Sequence, residues 1–352
     1  MKRVICIFVA AVLVVGLIVG CAAPTPAPAP APAPTPTPTP TPTTMPKSEP
    51  IVLKAVAWLP LGRSLTAPAE QVYIPMIEER SNGELVIDLI GGPEVIAKTE
   101  QGDAAAKGAI DLVFGISREY AHIVPAMHGS GSIGGSAWDQ REQGIFDYWV
   151  EKHMEANLMY LGKYSGGEEY FFIMYLKKPI TSIGDFLGLR IDGMDMYDTF
   201  IQELGGIPMS VGGAGVFTAL ERGLMDGFVW SNAGTFPGWE EIAKAPIAES
   251  LGPCHTFHLV MNLDKWNSLP KHLQDLLIEV TAEFEHIVAD YYNEMVIKTR
   301  EQWEAAGAEY IKLSPNEGEW YREEASRQRW SFAAKLMGPE LTAEMKDNVL
   351  SK

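Results

Sequence analysis

The chain has 352 residues, 47% of them apolar and 21% charged, which is the composition of a globular protein. Its 28 Lys and Arg stand against 45 Asp and Glu, a formal charge of −17. An acidic chain without a basic run excludes nucleic acid and anionic lipid surfaces as partners.

Lys2 and Arg3 precede an uncharged apolar run from Val4 to Val19. The run is short for a bilayer span and has the layout of an export signal. Leu17-Ile18-Val19-Gly20-Cys21 sets a small residue directly before a Cys at the end of that run, the pattern of a bacterial lipobox. Residues 1–20 are therefore expected to be a lipoprotein signal peptide, with Cys21 the lipidated residue that holds the protein at the membrane. Residues 21–49 are a Pro/Thr/Ala-rich tether, extended as polyproline II and up to about 80 Å long at roughly 3.1 Å per residue. The expected location is extracytoplasmic and lipid-anchored, periplasmic where the host has an outer membrane. Cys6 leaves with the signal, so Cys254 has no disulfide partner.

From residue 50 onward, short apolar runs alternate with helical patterns, which is α/β organisation. Ile51 to Trp58 reads as a strand, followed by a loop with Arg63 and Ser64. Pro68 to Arg80 reads as a helix, Leu85 to Ile90 as a strand, Thr99 to Gly108 as a helix and Ile110 to Phe114 as a strand. These βαβ units predict a largely parallel sheet, with ligands at the carboxyl ends of its strands. Tyr170 to Leu176, Leu189 to Asp192 and Met225 to Trp230 read as further strands, with helices over Tyr197 to Leu204 and Val216 to Arg222. Pro270 to Ala306 is one long helical pattern with Leu273, Leu276, Leu277, Val280, Phe284, Ile287 and Val288 on one face. Such a helix can run across two lobes.

Catalytic motifs are weak. Gly129-Ser130-Gly131-Ser132-Ile133-Gly134 satisfies G-x-G-x-x-G, but Val124 to His128 is a poor strand, so loop glycines are the better reading. No G-x-S-x-G elbow exists. Cys254, His255 and His258 form a cluster of metal-type residues without a second pair to complete a site, and a buried Cys with two polar histidines explains them. Glu168 and Glu169 are adjacent and point to opposite faces of a strand, so they cannot flank one glycosidic bond. No catalytic residue is assigned, and the protein is read as not an enzyme.

The stretch from Lys177 to Trp266 carries a different signal. Lys178-Pro179-Ile180-Thr181-Ser182-Ile183-Gly184-Asp185, Leu204-Gly205-Gly206-Ile207-Pro208 and Val216-Phe217-Thr218-Ala219-Leu220-Glu221-Arg222-Gly223 follow in register. Asn262-Leu263 to Trp266 with Leu269-Pro270, and upstream Gly108-Ala109-Ile110-Asp111-Leu112, continue the pattern. Together they resemble the substrate-binding subunits of tripartite ATP-independent periplasmic (TRAP) transporters, over nearly all of residues 51–350. The resemblance implies a two-lobed periplasmic-binding-protein-like fold with a ligand cleft between the lobes. Residues 50–169 plus 259–298 would form lobe 1, and residues 170–258 plus 299–352 lobe 2. It implies capture of a small organic solute for TRAP membrane subunits, with no cofactor required. A sensor subunit for a membrane receptor and, further off, an exported enzyme on the same fold are the alternatives.

The family's carboxylate-binding Arg falls at Asp192 here, with Arg190 in the preceding basic slot. A second slot that often holds Arg or Gln is Phe172, and Trp230 falls where a keto- and hydroxy-acid subgroup has a Trp. A negative residue in place of Arg repels a carboxylate. The expected ligands are an amine on Asp192 and Trp230, a polyol on Asp192, or a carboxylate bridged to Asp192 by a metal ion. An Arg190–Asp192 pair is the structural alternative. Trp58, Arg63, Tyr120, Tyr170, Asn232 and Phe257 are further candidates because they end strands or sit in loops at the expected cleft.

Overall fold

The computed structural model describes residues 49–350 except 168, 255 and 256. The expected signal peptide, Cys21 and the tether as far as residue 48 lie outside the described residues.

Among the described residues, ten strands form two five-stranded sheets. In the first, β1 (Ile51–Ala57), β2 (Leu85–Leu89), β3 (Leu112–Ile116), β4 (Leu158–Lys163) and β10 (Phe257–Asn262) lie in the order β2-β1-β3-β10-β4. In the second, β5 (Phe172–Leu176), β6 (Arg190–Asp192), β7 (Ile207–Met209), β8 (Gly227–Ser231) and β9 (Ala245–Pro246) lie in the order β7-β6-β8-β5-β9. The expected strands of residues 51–114 pair in parallel, as βαβ connections require. The expectation of a largely parallel sheet is nevertheless corrected. β10 is antiparallel to both β3 and β4, and β5 is antiparallel to β8 and β9. The reason is topological: β10 returns to the first sheet after the chain has built the second, so its direction is not set by a crossover helix.

β3, β4, β5 and β10 are buried on both faces, which is why they are predominantly apolar. A core of Leu53, Phe114, Leu161, Phe172, Ile191 and Leu259 reaches from one sheet to the other. The long helix, Lys271–Ala305, runs along both. Its Phe284 ring lies 5.1 Å from Tyr73 beside the first sheet, and its Trp303 ring lies 4.4 Å from Tyr175 of the second. Leu273, Leu277, Val280, Phe284 and Val288 form the expected buried stripe, whereas Ile287 is exposed. No helix among the described residues is long and apolar enough to cross a membrane.

One carboxylate is buried on that helix. Glu285 accepts from Arg141 Nε at 2.6 Å and Nη2 at 2.8 Å, and from the Lys163 backbone N–H at 3.1 Å. Gly162 leaves the room, because a Cβ there would stand 2.4 Å from Glu285 Oε1. Burial raises the Glu285 pKa despite the guanidinium beside it. Removing one partner of such a pair strands the other charge in a dry site. Arg141→Leu is expected to cost about 3–5 kcal/mol in urea unfolding, and Glu285→Gln with Arg141→Leu to recover part of that loss.

Candidate ligand-binding site

The carboxyl ends of β3 and β6 and the amino end of β5 meet at one place. A cavity of ≈ 200 Å³ opens there, lined by Ser117 and Arg118 after β3, Phe172 of β5 and the turn Met194-Asp195-Met196 after β6, with Arg329 closing one side. A second cavity of ≈ 160 Å³ adjoins it through Cys254 and is lined by Lys163, Ser165, Tyr170 and Ser250.

The turn after β6 is strained. Met194 and Asp195 hold φ of +53° and +60°, a conformation that L residues reach at a cost of about 1 kcal/mol or more each. Asp192 holds it. Its buried carboxylate accepts from the Met194 N–H at 3.2 Å, the Val211 N–H at 3.2 Å and the Gly212 N–H at 2.9 Å. Asp192 thus fastens two loops at the rim, and its lone pairs are largely used by backbone. Arg190 does not pair with it. Its guanidinium grips Asp226 at 2.9 and 3.0 Å, and its backbone N–H donates to the same carboxylate at 3.0 Å. That pairing holds the Asp226 pKa below the usual carboxylate range.

The other candidates divide. Phe172 lines the first cavity and Tyr170 the second, where Tyr170 stacks on Tyr292 at 4.8 Å. Trp58 is half-buried at the end of β1, its ring 5.7 Å from that of Phe257, which is itself buried. Trp230 packs 5.2 Å from Trp239 and 5.8 Å from Phe236, beside the cavities and not in their walls. Asn232 spends its amide on the Phe171 N–H and the Glu169 carbonyl, tying the segment that leads into β5. Arg63 sits exposed on the loop after β1, outside both cavities. Tyr120 is core, with its hydroxyl 3.1 Å from His153 Nε2. The glycines of 129–134 belong to a helical turn and the loop after it. A Cβ on Gly129 would strike Met345 at 2.4 Å, so that residue is a packing glycine. No group of three His, Cys, Asp or Glu suited to a metal ion occurs among the described residues.

Two cations escaped the sequence reading. Arg329 lies on the buried stripe Tyr321, Ala325, Arg329, Ala333 and Met337 of the helix Pro315–Met337, a charge at four-residue spacing within an apolar face. It donates to the Leu251 carbonyl at 3.2 Å, to the Pro253 carbonyl at 2.9 Å and to the Gly131 carbonyl, and no carboxylate pairs with it among the described residues. Lys163 ends β4, an apolar run in which a terminal Lys looks like a solvated strand end. Both are buried. Among the described residues, the charged side chains lining the two cavities are therefore Arg118, Arg329 and Lys163 against Asp195, and burial lowers the pKa of the lining His128.

Paired sheets with a solute-sized gap at their strand ends form a receptor architecture, and the comparisons agree. The model of bacterial extracellular solute-binding protein family 7 matches residues 69–335. The chain belongs to that family. A solute-binding protein of Albidiferax ferrireducens is 24% identical over 277 residues, covering 74% of this chain and 80% of the relative. A monocarboxylate 2-oxoacid-binding periplasmic protein of Nostoc sp. is 22% identical over 259 residues, 68% of this chain and 67% of that one. Among solved structures, a TRAP periplasmic solute-binding protein of Rhodobacter sphaeroides in an apo open form superposes with a TM-score of 0.70 at 20% identity, over 86% of this chain and 97% of its own. In this family 7 member the loop clamp at Asp192 is testable apart from any ligand. Asp192→Ala leaves three N–H groups without their acceptor and is expected to cost about 1–3 kcal/mol in thermal or urea unfolding. Asp192→Asn, which keeps one acceptor oxygen, should fall between.

Proposed function

We propose that this solute-binding protein captures a small organic anion between its two sheets and presents it to TRAP-type membrane subunits. The observation that carries this reading is the charge of the cavity walls. A chain of net charge −17 lines its two cavities with Arg118, Arg329 and Lys163 against Asp195. Arg329 is the principal anchor in this reading, because its guanidinium meets carbonyl oxygens and the Tyr197 ring but no carboxylate among the described residues, which leaves its charge for an incoming carboxylate. The 2-oxoacid in the name of the Nostoc relative is an anion of the same class. An amine on Asp192 loses support, since that carboxylate already serves three backbone donors.

Lobe boundaries at residues 169/170, 258/259 and 298/299, and closure of the lobes over the solute, belong to the same proposal. So do export and attachment through lipid on Cys21, with residues 21–49 as the stalk. Binding of this kind needs placed polar groups and an apolar wall, and no nucleophile or general base is assigned.

A thermal-shift screen of organic acids, amines and polyols, each with and without calcium, tests the ligand class. Acids alone should raise the melting temperature, independently of calcium, by the equivalent of about 2.7 kcal/mol at 100 times the dissociation constant. Stabilisation by amines or polyols and by no acid would remove the anion reading. For the anchor, Cys21→Ser should move the protein from the membrane to the soluble fraction of the exporting host; an unchanged distribution would remove lipid attachment.

A further inference from the structure

The second cavity contains a buried charge that the fold does not use. Lys163 is 7% exposed, and its ammonium has one protein acceptor among the described residues, the Gly135 carbonyl at 3.5 Å. An ammonium carries three donors, so two remain. Glu285 acts on the ammonium through its charge, but Arg141 holds both of its oxygens and the Lys163 backbone N–H takes a further lone pair. A buried ammonium with one long hydrogen bond is costly unless something else completes it.

The walls show what would. Gly134 and Gly135 on one side and Gly166 and Gly167 on another line the cavity, so bare backbone borders it where side chains would fill it. Ser165 and Ser250 lie in the wall, and Ser250 Oγ already accepts from the Gly252 N–H at 3.0 Å, which leaves its hydroxyl proton to donate. Among the described residues, no Asp or Glu lines the cavity. Its ≈ 160 Å³ is about ten times the volume that a single ordered water requires. One wall comes from the end of the first sheet, through Lys163 and Ser165. The other comes from the segments flanking β5 and following β9, through Tyr170, Ser250 and Cys254.

We infer that this cavity is a carboxylate subsite, in which the Lys163 ammonium and the Ser250 hydroxyl receive an acid group of the solute. The inference rests on the organic-anion reading of the cleft and adds a specific receptor for one carboxylate. Burial pushes the Lys163 pKa down to about 8, with Glu285 opposing the shift. The groups that face Lys163 are Glu285 of the long helix, Arg141 of the helix Ala137–Glu142, Tyr160 of β4, His258 of β10, and Tyr170 and Cys254 across the cavity. His258 is kept neutral by burial, so it adds no charge near neutral pH. A bound carboxylate stabilises the ammonium form, so binding takes up a proton near pH 8 and weakens as pH rises past it.

Titration calorimetry of the full-length chain with succinate and with pyruvate, at pH 7 and pH 9, tests the inference. In the wild type, affinity should fall about tenfold from pH 7 to pH 9, with net proton uptake at pH 8 seen as buffer-dependent heats. Lys163→Met should bind about 10- to 100-fold more weakly at pH 7, lose the pH dependence and take up no proton. Its melting temperature should equal or exceed that of the wild type, because a buried charge is replaced by an apolar chain of similar length. Lys163→Met binding the same acid within twofold, with the wild-type pH profile, would overturn the subsite and leave the anion reading intact. A wild-type protein that binds amines or polyols and neither acid would overturn both.

Discussion

The Glu285 carboxylate, held by Arg141 inside the first sheet's packing, sets the position of much that matters for the cleft. It sits on the helix that passes both sheets, and it accepts the backbone N–H of Lys163, the last residue of β4. Arg141 also donates to the Leu161 carbonyl at 3.0 Å, so helix, strand and flanking turn are joined at one buried point. Such a pair contributes little net stability relative to an apolar core, because both charges give up water. What it contributes is placement. Gly162 makes the approach feasible, and the residues that follow, Lys163 to Gly167, leave the sheet on a fixed course into the cleft wall.

The same device recurs around the cleft with other side chains. Asp192 collects three backbone N–H groups from two loops, Asn232 bridges two positions of the segment before β5, and Arg329 gathers carbonyls from residues 131, 251 and 253. Loops cannot satisfy their buried backbone as helices and strands do, so each buried turn needs a polar side chain to serve it. These residues are therefore structural whether or not they touch a ligand. Asp192 illustrates the consequence. A negative residue at a position expected to hold a carboxylate need not repel the solute when its charge is spread over three donors.

Much of the architecture was legible because it rests on periodicity. The strands at Ile51, Leu85 and Leu112 and the long helix announce themselves by apolar pattern, and their register follows from alternation and loop length. The antiparallel placement of β10 was not legible, since a buried central strand reads the same in either direction. Arg190 was misplaced for a related reason. Its partner Asp226 is 36 residues away, and only the adjacency of β6 and β8 brings them together. Lys163 and Arg329 were missed because each is a cation embedded in an otherwise apolar pattern. At a strand end or on a helix stripe, such a charge reads as a residue that reaches water.

Their burial bears on how an acidic protein can take up an anion. At physiological ionic strength charges beyond about 8 Å are largely screened, so the net −17 acts weakly on a solute already in the cleft, while the nearest groups act strongly. Lys163 and Arg329 stand in a low-dielectric wall, where each has lost hydration and, among the described residues, gained neutral partners and no carboxylate hydrogen bond. A carboxylate entering between them replaces the lost water with a full opposite charge, so its interaction with the wall exceeds what the same groups would offer at the surface. The wall is complete only where residues of both sheets meet, as in the cavity shared by Lys163 and Ser250. A solute that bonds to both sides favours the arrangement in which they are close, and a solute that bonds to one side does not. In the proposed anion reading, discrimination among solutes and closure of the cleft would both follow from the same buried charges.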